Sequence, residues 1–261
     1  MEIILRKSIK SGNASAVVLP KSWLNKEVKV ELVDKNKETI LHDVLDIAKL
    51  SIDLSEIIGI YLVGSYARGD NEYTSDIDIL IISEKTSREL IKKEGYEILI
   101  VSLNLLNYKL NENLLPIGTM LNEAQPLLNR HFLKEINIKV TKKNIKWYIE
   151  TTKDSLEVIK SSIDRIENKK PDGKLSDAIA YSLILRLRTL YMIDCLKNKK
   201  VYNKTEFIEL TKKISGSSTA YERYVYSKNN EDHKRKLLLS EGKKLYIYLK
   251  EYLQKITKSM E

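Results

Sequence analysis

Two apolar runs joined by a short polar loop constrain the fold of this 261-residue chain more than any other feature of its sequence. The first run, Ile57–Val63, leads into Gly64-Ser65, and the second run, Ile77–Ile82, follows Asp76 directly and contains Asp78. Apolar runs of this length, rich in β-branched residues, predict buried strands. Because alternate residues of a strand point to one side, we expect Asp76 and Asp78 to project together at the start of the second strand.

These residue types indicate a site for a metal ion and a phosphate. Two aligned carboxylates repel each other unless a cation lies between them, and oxygen ligands at this spacing suit Mg²⁺ (or Mn²⁺), which binds one or two carboxylates together with substrate phosphates. The Gly64-Ser65 turn offers backbone N–H groups and a hydroxyl to a phosphate. The sequence therefore predicts a phosphate-binding turn that faces a metal site across two adjacent strands.

Weaker patterns complete the expected α/β region. We predict helices over residues 39–50 and Thr86–Lys93, and a third strand over Glu97–Ser102. Residues 103–136 are expected to be mostly helical, with breaks near Pro116 and Pro126.

The stretch from Tyr61 to Asp70, YLVGSYARGD, and the following SDIDIL at 75–80 resemble the nucleotidyltransferase superfamily of the DNA polymerase beta type, above all its minimal members. The resemblance implies a mixed-sheet α/β domain that transfers a nucleoside monophosphate from a nucleoside triphosphate, with ATP favoured, to a hydroxyl. It further implies that Gly64, Ser65 and Arg68 bind the nucleotide. It also implies that Asp76 and Asp78 are catalytic and hold Mg²⁺.

Two positions leave alternatives open. The family usually has a third carboxylate on the following strand, where this chain has Leu99. Glu97 lies two residues earlier on the same strand face, and it is either the third catalytic carboxylate or a solvated strand-end residue. Arg68 is either a phosphate contact or the partner of Asp70 or Glu72.

The first thirty residues are similar to swapped-hairpin domains of the AbrB/MazE type. The similarity rests on RKSIKSGNASAVVLPK at 6–21, Trp23 and VKV at 28–30. It implies a homodimer of interleaved hairpins that contacts DNA through four basic residues, Arg6, Lys7, Lys10 and Lys21. The alternative is a dimerisation module that does not contact DNA. We predict strands at Ile4–Ile9, Ala14–Leu19 and Val28–Val33, which are too short to be stable alone.

From Thr141 onward the pattern predicts about five helices, similar to the helical domains of HEPN proteins and of kanamycin nucleotidyltransferase. Residues 141–261 have a net charge of +11, whereas residues 51–140 have a net charge of −4. The basic part either attracts polyanions such as RNA or is a solvated, lysine-rich surface. Arg186 and Arg188 lie in an apolar helix, so each needs a partner, and one of them is expected to reach an acid or the nucleotide cleft.

The sequence as a whole predicts an α+β multidomain protein in three parts. These are a β swapped-hairpin domain (1–36), a nucleotidyltransferase domain (37–138) and a helical bundle (139–261). A single cysteine excludes an intrachain disulfide, and no apolar run reaches the length of a membrane span, so we expect a cytoplasmic protein without membrane contact. The expected function is nucleotide transfer to a protein, an RNA or a small molecule. The alternative is a DNA-binding, antitoxin-like regulator whose nucleotidyltransferase domain only binds nucleotide.

Overall fold

The computed structural model describes residues 3–4, 6, 8–31, 35–72, 75–170, 172–229 and 236–260. The chain forms two compact units, residues 1–36 and 37–261. The predicted domain boundary at residue 138 lies inside the second unit and stays a prediction. Among the helices that the structure describes, none is both long enough and apolar enough to cross a membrane.

The N-terminal unit contains a short antiparallel hairpin. Its strands are β1 (Ile9–Ser11) and β2 (Ala14–Ala16), joined by a turn in which Gly12 has a φ of 61°. The longer strands predicted for this unit are wrong where they can be checked, because the described residues 4, 6, 8, 17–19 and 28–31 are not in strands. A strand is stabilised by pairing and by burial of one face, and both strands of this hairpin are largely exposed.

The second unit is built on a mixed sheet of five strands in the order β5-β6-β4-β3-β7. The strands are β3 (Ile57–Val63), β4 (Ile77–Ser83), β5 (Arg88–Lys93), β6 (Tyr96–Ser102) and β7 (Gln125–Leu128). Strands β4 and β6 are parallel, and the other neighbours are antiparallel. The predicted strands Ile57–Val63, Ile77–Ile82 and Glu97–Ser102 are confirmed to within one residue at each end.

Helices cover both faces of this sheet. Helix α1 (Lys37–Ala48) packs on the face that contains Ile77, Ile79 and Ile81. The opposite face contains Leu80 and Ile82, and three further helices contribute to the core there: α3 (Leu103–Glu112), α4 (Ile117–Glu123) and α5 (Arg130–Glu135). A short helix, α2 (Gly64–Arg68), follows β3 directly. Asp78 shares the face of Leu80 and Ile82, and it is half-buried next to Gly64.

Two local predictions in this region are wrong. The helix predicted over Thr86–Lys93 is strand β5, because Glu94 and Gly95 have φ angles of 52° and 80° and form a two-residue turn into β6. Positive φ at both central positions is the signature of a type I′ hairpin turn. Residues 125–128, expected in a mostly helical region, are strand β7 at the sheet edge, where a proline is tolerated.

Five long helices follow residue 141 within the described residues. They are α6 (Lys142–Lys169), α7 (Asp177–Lys197), α8 (Lys204–Ser215), α9 (Thr219–Asn229) and α10 (Leu239–Lys258). Their buried apolar residues form one core, which also takes in Leu114 and Leu115 from the segment between α3 and α4. The helices therefore share part of their core with the segment that joins α3 and α4.

Candidate active site

The end of β3 and the start of β4 bring the two halves of the sequence motif together. Because these strands are antiparallel, Val63 pairs with Asp78, and the following residue, Gly64, lies against the Asp78 side chain. Gly64 has a φ of 69°, and a Cβ atom there would overlap the Asp78 carboxylate. Glycine is therefore required twice at this position, by its backbone conformation and by the close approach of the carboxylate.

Carboxylates cluster on the other side of Asp78. Asp78 pairs with Glu97 across the parallel strands β4 and β6, so that both side chains lie on one face. Burial, followed by the charge of Glu97, raises the pKa of Asp78 to about 6. Asp76 is exposed, and Glu97 is half-buried with its carboxylate in contact with the ammonium group of Lys92. Leu99 pairs with Leu80, one side-chain repeat deeper in the sheet.

This arrangement suits a cation that is shared between protein and substrate. Burial and the charge of Glu97 both disfavour the Asp78 anion, a positive ion favours it, and carboxylate oxygens are ligands that Mg²⁺ prefers. Among the described residues, no three acidic, histidine or cysteine side chains are arranged to hold a metal ion. The residues present therefore fit Mg²⁺ held by Asp76 and Asp78 and completed by oxygens from outside the protein, and they do not fit an all-protein cage.

Arg68 is surrounded by carboxylates. Its Nε donates a hydrogen bond to Asp70 Oδ2 at 3.2 Å, and its Nη1 donates to Glu123 Oε2 at 2.8 Å. Glu123 also accepts a hydrogen bond from the Gly64 N–H at 2.9 Å. The pairing of Arg68 with Asp70, one of the two alternatives for this residue, is thus present. Glu123 has no local sequence signal, because it lies 55 residues beyond its partner.

The helices approach this turn through a cation and aromatic cluster. The Tyr202 ring lies 5.6 Å from the guanidinium of Arg68 and 5.3 Å from that of Arg188. Arg188 also donates a hydrogen bond to the Tyr224 hydroxyl at 3.2 Å, and Lys204 forms an ion pair with Glu72 at 2.6 Å. The position of Arg188 in an apolar helix was the one signal of this cluster in the sequence. Arg186 lies apart from the cluster, since it bonds Thr151 and Ser155.

The basic residues predicted to contact DNA lie in the separate N-terminal unit. Arg6, Lys10 and Lys21 are all exposed. Lys7 lies outside the described residues.

One comparison with known proteins, a match to a family, agrees with the geometry of the turn and strands. Residues 46–172 match the family described as "Nucleotidyltransferase domain". No curated protein matches the sequence. A crystal structure of a spectinomycin adenyltransferase from Enterococcus faecialis with ATP and spectinomycin is similar at 13% identity and a TM-score of 0.41, over 84% of this chain and 100% of that chain. The family match assigns residues 46–172, a little under half of the chain, to a nucleotidyltransferase domain and supports an enzyme of this type.

Proposed function

We propose that this protein transfers a nucleoside monophosphate from a nucleoside triphosphate, with ATP favoured, to a hydroxyl group in a Mg²⁺-dependent reaction. The observation that carries the proposal is the position of the Gly64 turn against Asp78, with Glu97 on the far side of Asp78. A phosphate-binding turn and a carboxylate cluster in contact are what transfer of a phosphoryl-linked group requires.

Each residue has a separate task in this proposal. The Gly64-Ser65 turn binds the terminal phosphates through the backbone N–H and the hydroxyl of Ser65, since the Gly64 N–H is held by Glu123, and Asp76 and Asp78 hold the metal. Mg²⁺ bound there would neutralise phosphate charge and stabilise the pyrophosphate leaving group. Glu97 accepts the proton of the attacking hydroxyl, which requires that Lys92 release its carboxylate. Lys92 is 67% exposed and can move away.

Arg188 supplies positive charge to the nucleotide. Arg68 is already matched by Asp70 and Glu123, whereas no carboxylate forms an ion pair with Arg188 among the residues that the structure describes. Arg188 and Arg68 both lie close to the Tyr202 ring, at 5.3 Å and 5.6 Å, so the charge of Arg188 is near the helix that begins at Gly64. We therefore assign Arg188 to the triphosphate, as a contact that sequence reasoning reached only in part.

A labelling experiment tests the reaction and its acceptor. Purified protein is incubated with each α-³²P-labelled NTP, Mg²⁺ or Mn²⁺, and either cell extract, purified RNA or a small-molecule fraction. We expect label on one acceptor class with the wild type and a loss of at least about 100-fold in Asp76→Ala and Asp78→Ala proteins. If no NTP is transferred although the protein binds nucleotide with metal, the enzyme is not active as proposed. The antitoxin-like regulator would then be the better description.

We further propose that residues 1–36 form a homodimer with a second copy and contact DNA through Arg6, Lys7, Lys10 and Lys21. Large apolar side chains in this unit are exposed, among them Ile3 at 81%, Leu24 at 71% and Val30 at 68%. A second copy would cover them, as swapped hairpins do. Light scattering measures the mass, and DNA titration of the Lys10→Ala/Lys21→Ala protein measures the contact. A monomer at micromolar concentration contradicts the dimer.

A further inference from the structure

One buried carboxylate joins both ends of helix α2. Glu123, the last residue of α4, accepts a hydrogen bond from the Gly64 N–H through Oε1 at 2.9 Å. Its other oxygen, Oε2, accepts from Arg68 Nη1 at 2.8 Å. The Glu123 side chain is only 8% exposed. A single side chain thus bonds to the first and the last residue of helix α2.

Burial of the Glu123 carboxylate is unfavourable unless its charge is compensated. Burial raises the pKa of Glu123, and the hydrogen bond and charge of Arg68 oppose that rise. A buried carboxylate destabilises a fold unless it is paired and hydrogen-bonded, and Glu123 is both. Arg68 in turn is matched by two carboxylates, since Asp70 lies on its other side. The positive charge of Arg68 is therefore already paired with carboxylates of the protein.

Gly64 is held from two directions. Its N–H group is bonded to Glu123, and its Cα lies against the Asp78 carboxylate with no room for a Cβ atom. Movement of the turn relative to α4 would disturb the bond to Glu123, and a shift toward Asp78 would produce a clash. The distance between the turn and the carboxylate is consequently fixed by these contacts.

We propose that Glu123 is a positioning residue for nucleotide transfer, an inference that rests on the proposed function. Acting through the Gly64 N–H and Arg68, it sets the Gly64-Ser65 turn at the separation from Asp78 that places bound phosphates within reach of the metal. Arg68 acts through Glu123, and we call the bonds of Glu123 to Gly64 and Arg68 the Glu123 clamp. Small displacements of a reacting group are costly to catalysis, which gives such a clamp its value.

The kinetic test uses Glu123→Ala, Glu123→Gln and the matched control Glu112→Ala. Glu112 is also the last residue of its helix, and its ion pair with Lys143 lies away from the site. We expect Glu123→Ala to raise the KM for ATP and to lower kcat, each about tenfold, because a charge-assisted hydrogen bond is lost. Glu123→Gln keeps an acceptor for the Gly64 N–H and is expected to recover part of the loss, whereas Glu112→Ala matches the wild type.

Two kinetic outcomes overturn the inference. If Glu123→Ala binds Mg·ATP more tightly than the wild type, the carboxylate competes with phosphate for the turn. If both constants are unchanged while the wild type is active, Glu123 only supports the fold. A wild-type protein that binds and transfers no NTP overturns the proposed function and this inference with it.

A second measurement needs no nucleotide. The chain has nine glycines, so ¹⁵N-glycine labelling gives nine amide signals, and Gly64 is assigned by its loss in Gly64→Ala. A hydrogen bond to a carboxylate moves an amide proton downfield. We expect the Gly64 signal to move upfield in Glu123→Ala and to stay in place in Glu112→Ala. If the amide proton shift of Gly64 is unchanged in Glu123→Ala, the Glu123 clamp is overturned, whatever the activity of the enzyme.

Discussion

Asp78 and Glu97 lie directly opposite each other on the parallel strands β4 and β6, on the face of the sheet that opens beside Gly64. Burial and the charge of Glu97 raise the pKa of Asp78 from 3.8 to about 6. Asp78 is thus unfavourably placed as an anion in the metal-free protein. This is the condition under which a site gives up stability for function.

The first prediction concerns pH and the stability of the metal-free protein. Between pH 4 and pH 6 the folded protein keeps a proton on Asp78 that the unfolded chain has released, so the Asp78 contribution to stability is full below pH 4 and falls as the pH rises through 6. At pH 7, Asp78→Asn should be more stable than the wild type by about 1 kcal/mol, a figure already reduced for solvent screening. Urea unfolding of the two proteins at pH 4 and at pH 7 measures this difference in stability.

Asp76→Asn is the matched control for this experiment. Asp76 is exposed at the start of the same strand, so its replacement should leave the free energy of unfolding unchanged. Both variants should lose transferase activity. An Asp78→Asn protein that is less stable than the wild type at pH 7 would show that the carboxylate is stabilising as an anion.

The second prediction concerns the close approach of Gly64. Gly64→Ala places a methyl group on the Asp78 carboxylate and strains a residue with a φ of 69°. We therefore expect the free energy of unfolding to fall by more than about 2 kcal/mol and transferase activity to be lost. Gly69→Ala is the control, because Gly69 has a φ of 75° but open space around it. It should cost about 1 kcal/mol through strain alone and remain active. Equal effects of the two substitutions would argue against a tight contact at Gly64.

The third prediction concerns Arg188 and the nucleotide. Arg188→Gln should raise the KM for ATP about tenfold and change kcat little, because the positive charge of Arg188 contributes to binding of the triphosphate in the ground state. Arg186→Gln is the control, since Arg186 lies in the same helix and bonds Thr151 and Ser155 instead. Steady-state kinetics with thermal melting separates binding from folding. A KM that rises equally in both variants would indicate a general disturbance of α7.

The motif itself could be predicted from sequence because its parts are local. The apolar runs Ile57–Val63 and Ile77–Ile82 are long enough to be buried strands, and the short loop between them requires that they lie side by side. The family resemblance placed a third carboxylate on the following strand, and the alternation of side chains made Glu97 the candidate; the register places Glu97 opposite Asp78.

The rest of the site depends on contacts between distant residues. Glu123 meets Gly64 across 59 residues, and Arg188 shares the Tyr202 ring with Arg68, a residue far from both in the sequence. No periodicity or spacing in a single sequence carries such contacts. The same limit applies to the N-terminal hairpin, where strands were predicted longer than the structure has them.

The fourth prediction comes from the hairpin that replaced a predicted helix. The residues of β5, RELIKK, favour a helix by composition, and the turn at Glu94-Gly95 decides otherwise. Glu94 has a φ of 52°, a conformation that asparagine tolerates better than glutamate, so Glu94→Asn should stabilise the protein by about 0.5 kcal/mol. Gly95→Ala should destabilise it by about 1 kcal/mol, because Gly95 has a φ of 80° and no neighbour that a methyl group would meet. Urea unfolding measures both effects, with Glu84→Asn as a control outside the turn. If Glu94→Asn destabilises the protein as much as Gly95→Ala, the turn is not of type I′, and the pairing of β5 with β6 must then be held by its side chains.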